Sequence, residues 1–223
     1  MALTKFNYNS FDLTTAASKG LSFNSSANGF ETATEGSMTL IKTLTASSSS
    51  TLSFVNGSSD VVLDNTYPVY VFKFINIHPS ASRPEFSFNL STNSGSSYGV
   101  TKTSTAFYSQ HNEGGGSSLA YDSSSDLAQS TSAQHIAWNL SNDNEASISG
   151  NMYLFNPSST TFVKHFLTEL QFQYDSSGGD PASYTYRIGG YANTTSAING
   201  IKYLYNSGNI DSGTIKLYGI KDS

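Results

Sequence analysis

The chain has no cysteine, which rules out disulfide staples and thiolate metal sites alike. It has only two arginines, Arg83 and Arg187, and its nine lysines gather nowhere into a run. Nucleic acid is bound through clustered Lys and Arg, so a scattered set with a net charge of −5 argues against that partner. No apolar stretch approaches the roughly 18 residues of a membrane-spanning helix, and no membrane insertion is expected. The opening MALTKFNYNSFDL lacks the apolar centre of a signal peptide. Charged residues make up 12%, about half the usual share, and the helix formers Glu, Lys and Arg are scarce. Ser, Thr, Asn and Gly take their place, and their short side chains compete with helices by bonding the local backbone.

What is abundant is aromatic. Tyr and Phe number 14 each, a vocabulary suited to pleated, half-buried surfaces. At 223 residues the chain is long enough to bury a sizeable core, and one large all-β domain accommodates it. Short alternating runs recur at 37–45, 51–55, 61–63, 69–77, 85–91, 98–108, 118–121, 135–140, 146–155, 162–174 and 183–191. Ser-, Gly- and Asn-rich turns separate them. A dozen strands at this spacing predict an antiparallel β-sandwich of jelly-roll type. Residues 1–37 are polar with small apolar islands and read as an N-terminal arm or edge segment, leaving 38–223 as the single sandwich domain.

Three segments carry sharper expectations. Val69–Ile77 is apolar on both faces, which predicts a central strand covered on both sides. Residues 162–174 fit a helical stripe through Phe162, Phe166 and Leu170 as well as an alternating strand; the aromatic and β-branched content and the missing N-cap favour the strand. The last two runs, Ile201–Tyr205 and Thr214–Ile220, flank a turn-rich octet and predict a β-hairpin.

Chemistry is harder to find. The four histidines, 78, 111, 135 and 165, show no pairwise spacing that places two imidazoles on one metal. His111 and Glu113 stand before a Gly114–Gly116 loop, the one histidine beside a carboxylate on a flexible segment, yet no nucleophile accompanies them. Asn142–Glu145, with Asp143 and Glu145, sets four oxygen-bearing side chains in a row, and Asp122 and Asp126 bracket a serine run. Neither matches a calcium-loop spacing, and turn chemistry accounts for both. Trp138 is of the type that stacks on sugar rings, although alternation in HIAWNL favours the core of a sheet. There is no G-x-S-x-G elbow and no carboxylate pair close in sequence. No catalytic residue, cofactor or metal is assigned. Trp138, His111, Glu113, Asp143 and Glu145 remain as possible ligand or receptor contacts.

The wording of several segments resembles a family of virion structural proteins of marine tailed bacteriophages, of the kind carried by cyanophages and pelagiphages. The phrases are SFVNGSSDVVLDNTYPVYVFKFINIHPS (53–80), FSFN (86–89), HNE (111–113), DLAQST (126–131), LFNPSSTTFVKHF (154–166), TTSAIN (194–199) and SGNIDSGTIKLYGIK (207–221). Together they run through most of 38–221, and 1–37 is the least similar part. The resemblance implies a jelly-roll-like sandwich and a non-enzymatic role on the exterior of the phage particle, as a head decoration or fibre protein or a tail appendage. It implies assembly with itself, expected as a homotrimer, and with other capsid or tail proteins, residues 1–37 docking to the virion. The alternative is a receptor- or glycan-binding module of a tail fibre or spike, contacting a host surface glycan through loops at one end of the sandwich.

Overall fold

The computed structural model describes residues 21–23, 26, 30–32, 37–176, 179 and 181–221. The chain divides into two compact units, Met1–Thr39 and Leu40–Ser223. In the first, β1 (Leu21–Phe23) and β2 (Phe30–Thr32) pair antiparallel, with the Phe23 and Phe30 rings stacked at 4.9 Å. Most of the expected arm, residues 1–20, lies outside the described residues.

The second unit is all-β and is built from two facing antiparallel sheets. Its strands are β3 (Met38–Thr45), β4 (Leu52–Val55), β5 (Val69–Pro79), β6 (Phe86–Ser91), β7 (Lys102–Asn112) and β8 (Ser117–Tyr121). They continue with β9 (Gln134–Ala137), β10 (Ile148–Phe155), β11 (Lys164–Tyr174), β12 (Ala182–Ala192), β13 (Gly200–Tyr205) and β14 (Ile210–Ile220). The large sheet has the order β3-β14-β5-β10-β11-β12-β7-β8 and the small one β4-β13-β6-β9. Reading β3, β4, β5, β6, β9, β10, β13 and β14 in chain order, the chain changes sheet at every step except from β6 to β9, which pair side by side in the small sheet. That is a jelly roll of four strands facing four. Two hairpins, β7-β8 and β11-β12, are inserted into it, and both widen the large sheet beyond β10.

This topology corrects the terminal hairpin. β13 pairs with β4 and β6, whereas β14 pairs with β5 in the other sheet. The link through Asn206–Asn209, with Gly208 at φ 70°, carries the chain across the core instead of folding it back in plane. Two alternating runs around a turn look alike in either case; register decides, and register is a tertiary property.

Between the sheets lies an aromatic core. Tyr203 of β13 meets Phe54, Phe72, Phe74, Phe86 and Phe88 at centroid distances of 5.2–6.5 Å, mostly edge to face. Such contacts add about 0.5–1.5 kcal/mol per pair beyond area burial. β11 is a regular alternating strand: Lys164, Phe166, Thr168, Leu170 and Phe172 point inward and are buried, and the residues between are exposed. The strand reading of this segment holds, although Phe162 lies before it and is 68% exposed.

Two further expectations are revised. β5 lies inside the sheet with its Tyr70–Phe72–Phe74 face sealed; on the other face Val71 is buried too, but Ile75 is 39% exposed. Residues 61–63 form no strand. Gly57 N–H bonds Val61 O, Leu63 N–H bonds Asn56 Oδ1, and Ser59 and Asp60 adopt positive φ, so a tight loop presses Val61 and Leu63 into the core.

Candidate functional site

Near one end of the large sheet the three central strands lose register at one level. Asn76 of β5 sits at φ 51°, Gly150 of β10 at φ 152° and Gly213 of β14 at φ 108°, and the pairing slips on both sides of β5. Ser149 Oγ accepts from the Asn76 N–H at 3.1 Å and takes up a donor that the slip releases. Bulges of this kind re-aim side chains and cluster at rims and sites.

Beside this line lies an open cleft of about 640 Å³ at the corner where β7 ends and β10 and β12 begin. His111, Glu113 and Glu145 line it together, although Glu145 stands 32 positions beyond Glu113 in sequence. Ser149, Gln171, Gln173 and Ser183 provide hydroxyl and amide groups, and Phe172 and Ala182 an apolar floor. Gln171 is held rigid: its Nε2 donates to Ser183 Oγ at 2.7 Å, and Thr185 Oγ1 donates to its Oε1 at 2.7 Å. The carboxylates of Glu113 and Glu145 make no hydrogen bond or ion pair with any described residue. A second cleft of about 480 Å³, lined by Asn76, His78 and Asp211, shares Glu145 and Ser147 with the first. There His78 Nδ1 contacts the Ala146 carbonyl at 2.7 Å, so that nitrogen carries the proton.

The remaining sequence candidates lie apart from the cleft. Trp138 packs edge-on against Tyr174 and Tyr184 at 5.2 and 6.2 Å, half-buried, and is a core-side aromatic, not a platform in the cleft. Asp143 accepts from Ser141 Oγ at 2.7 Å and closes its own turn. Asp122 is largely buried and receives Tyr186 OH and Ser124 Oγ at 2.5 Å each. Burial alone pushes its carboxyl up, but the hydrogen bonds from Ser124, Tyr186 and Ser125 outweigh it and hold the group below its ordinary value. Asp126 accepts from Tyr121 OH. With these acids engaged in turns and caps, no cluster of three or more metal-binding side chains occurs among the described residues.

Two features escaped sequence reading. Lys102 and Lys164 are fully buried and face inward on either side of Ala192, which both of them flank in register. Lys102 Nζ donates to Asn89 Oδ1 and Val100 O, and Lys164 Nζ to Thr194 O, so each ammonium ties a loop to the sheet. Burial lowers the pKa of both, that of Lys102 to about 8. The second feature is the outer face of the large sheet. Register places Leu167, Phe107, Tyr121, Leu119 and Ile75 on that one face, all substantially exposed. No sequence signal separates an exposed aromatic from a core one when both alternate.

Comparison of the chain with protein-family models, with curated proteins and with solved structures gave no match.

Proposed function

We propose that this chain is a non-enzymatic structural component on the exterior of a tailed-phage particle, a head decoration or fibre protein or part of a tail appendage, working by assembly with copies of itself and with neighbouring virion proteins. The observation that carries this reading is the uncovered outer face of the eight-stranded sheet. Phe107, Leu119, Tyr121, Phe155 and Leu167 are between 38% and 75% exposed there, on strands that hydrogen bonding holds flat side by side. Exposed apolar side chains gathered on one sheet face, here on both sides of the Glu169–Arg187 pair, mark an interaction face. A second copy is the simplest occupant, since symmetric homo-oligomers are the common state of assembling proteins, and a trimer is the state proposed. The jelly roll agrees with this role without selecting it, because capsid and lectin domains share the fold. The phrases shared with marine-phage structural proteins supply the context. Immunogold labelling of intact particles with an antibody against this chain tests it: label over head or tail supports the proposal, and unlabelled particles refute it.

A second reading has its own observation. The cleft around His111, Glu113 and Glu145 is lined with hydroxyl and amide groups and opens to solvent, as a glycan-binding site on an exterior protein would. It is compatible with assembly through the apolar part of the face.

A further inference from the structure

Most acidic groups among the described residues are matched. Glu85 receives Asn206 Nδ2 at 2.8 Å and lies 3.2 Å from His135; Glu169 pairs with Arg187 at 2.7 Å; Asp211 receives Ser48 Oγ at 2.8 Å. Among the described residues Glu113 and Glu145 have no such partner, nor has Asp60 on its exposed loop, but only these two glutamates line one concave surface, where no Lys or Arg accompanies them. Two carboxylates facing one hollow with low-dielectric walls project a negative potential into it. As acceptor-only groups they call for a ligand that donates.

The rest of the cleft says what kind of donor. Ser147, Ser149, Ser183, Gln171, Gln173 and Asn112 each present groups that donate and accept, the complement of neighbouring ring hydroxyls. Gln171 is fixed in place by its bonds to Ser183 and Thr185, so ordering it on binding costs little entropy. Pro181, exposed at the rim, supplies an apolar surface against which the C–H face of a pyranose can lie. A basic peptide would use the two carboxylates and leave the hydroxyl and amide wall idle.

We propose that this cleft binds a saccharide that carries hydroxyl and amino donors, and that Glu113 and Glu145 select amine-bearing over neutral sugars and reject anionic ones. The proposal rests on reading the cleft as a glycan site. It adds the charge class of the ligand and the residues that set it.

Calorimetric titration of the full chain at low salt with glucosamine oligomers, N-acetylglucosamine oligomers, oligogalacturonate and trilysine tests it. The glucosamine series is expected to bind about tenfold more tightly than the N-acetylated one, with the uronate weakest, and added salt narrows the gap. In the double variant Glu113→Gln, Glu145→Gln, the ratio of amine-bearing to neutral affinity is expected to fall from about ten to about one. Both positions are exposed, so the fold is not at stake. Equal or tighter binding of the uronate overturns the charge selection, as does an amine preference that survives in the double variant. Trilysine binding above every saccharide replaces the sugar by a basic peptide. If no saccharide of any charge binds, the glycan reading of the cleft falls as well, whereas indiscriminate binding removes only the selectivity.

Discussion

Lys102 Nζ lies 2.7 Å from Asn89 Oδ1, and both side chains are buried. The contact joins β7 of the large sheet to β6 of the small one, and it sets a cation against a neutral amide where a carboxylate would be the ordinary partner. The two ends are therefore unequal. With Lys102→Met, Asn89 Oδ1 keeps the Leu90 N–H at 3.0 Å and a flexible apolar chain fills the lysine's path. With Asn89→Leu, the ammonium keeps only the Val100 carbonyl. Leaving a buried charged donor short of acceptors costs about 2–3 kcal/mol. Urea denaturation is expected to show Asn89→Leu as clearly the more damaging single change, with the double variant recovering part of the loss. Equal single effects would refute this asymmetry.

Stability should rise and then fall across alkaline pH. Burial lowers Lys102 from 10.5 to about 8, so between those values the unfolded chain holds a proton that the folded chain has released, and stability climbs with pH. The tyrosines act in the opposite sense. Burial raises Tyr70 and Tyr184 from 10.0 to about 12 and lifts Tyr186, Tyr203 and Tyr205 further. Above pH 10 the unfolded chain ionises first, and the stability these phenols contribute is lost as pH rises toward their folded values. Denaturation midpoints measured from neutral to strongly alkaline pH are expected to peak between about 8 and 10 and to drop steeply beyond. A monotonic decline from neutrality would contradict the lysine's part.

The register slip of the central strands depends on Gly213. Its φ of 108° is closed to other residues, and a Cβ there would stand 2.4 Å from the Asn76 carbonyl oxygen, a backbone atom with nowhere to go. Gly213→Ala is expected to cost about 3 kcal/mol or more, combining strain with a clash. Gly57→Ala, at φ 76° but with nothing within 4 Å, should cost only about 1 kcal/mol. Comparable losses in the two would mean that the slip tolerates a side chain.

Trp138 separates a ligand-contact role from a packing role. Its Nε1 is buried without a partner, and its ring is wedged against Tyr174 and Tyr184. Trp138→Phe keeps the aromatic contact and removes an unsatisfied donor, so the cost in denaturation should stay below about 1 kcal/mol. Saccharide binding in the cleft should be unchanged. A large loss of binding with intact stability would return Trp138 to the site.

Much of the fold was legible because alternation is a local signal: β8, β11 and β12 emerge within two residues of the expected runs. Partner choice was not, since β13 and β14 alternate in the same way whether they pair with each other or lie in opposite sheets. The core also holds Lys102, Lys164 and Thr168 on inward faces, where polar residues normally argue for solvent. Asn89 Oδ1 and the carbonyls of Val100 and Thr194, the last two brought up by loops, make those lysines tolerable. At the site, sequence reading found His111, Glu113 and Glu145 by residue type. The hydroxyl and amide wall remained hidden because Ser149, Gln171 and Ser183 are remote in sequence and meet only through the register of three strands.

Leu167 gives the assembly proposal its most direct test. It projects from the middle of the outer face, nearly half exposed, and its neighbour in register on β12 is Gly189, which leaves that flank bare. A charge there should be harmless to the isolated chain, because an exposed strand position tolerates Glu at a cost of about 0.5 kcal/mol. Inside an oligomer interface the same charge would be buried without a partner, at a cost of several kcal/mol. Light scattering after size exclusion is expected to give a multiple of the 23.9 kDa protomer for the parent chain and a single protomer for Leu167→Glu, with matching denaturation curves at low concentration. A Leu167→Glu chain that assembles like its parent would move the interface off this face, and a parent that is itself monomeric would refute self-assembly.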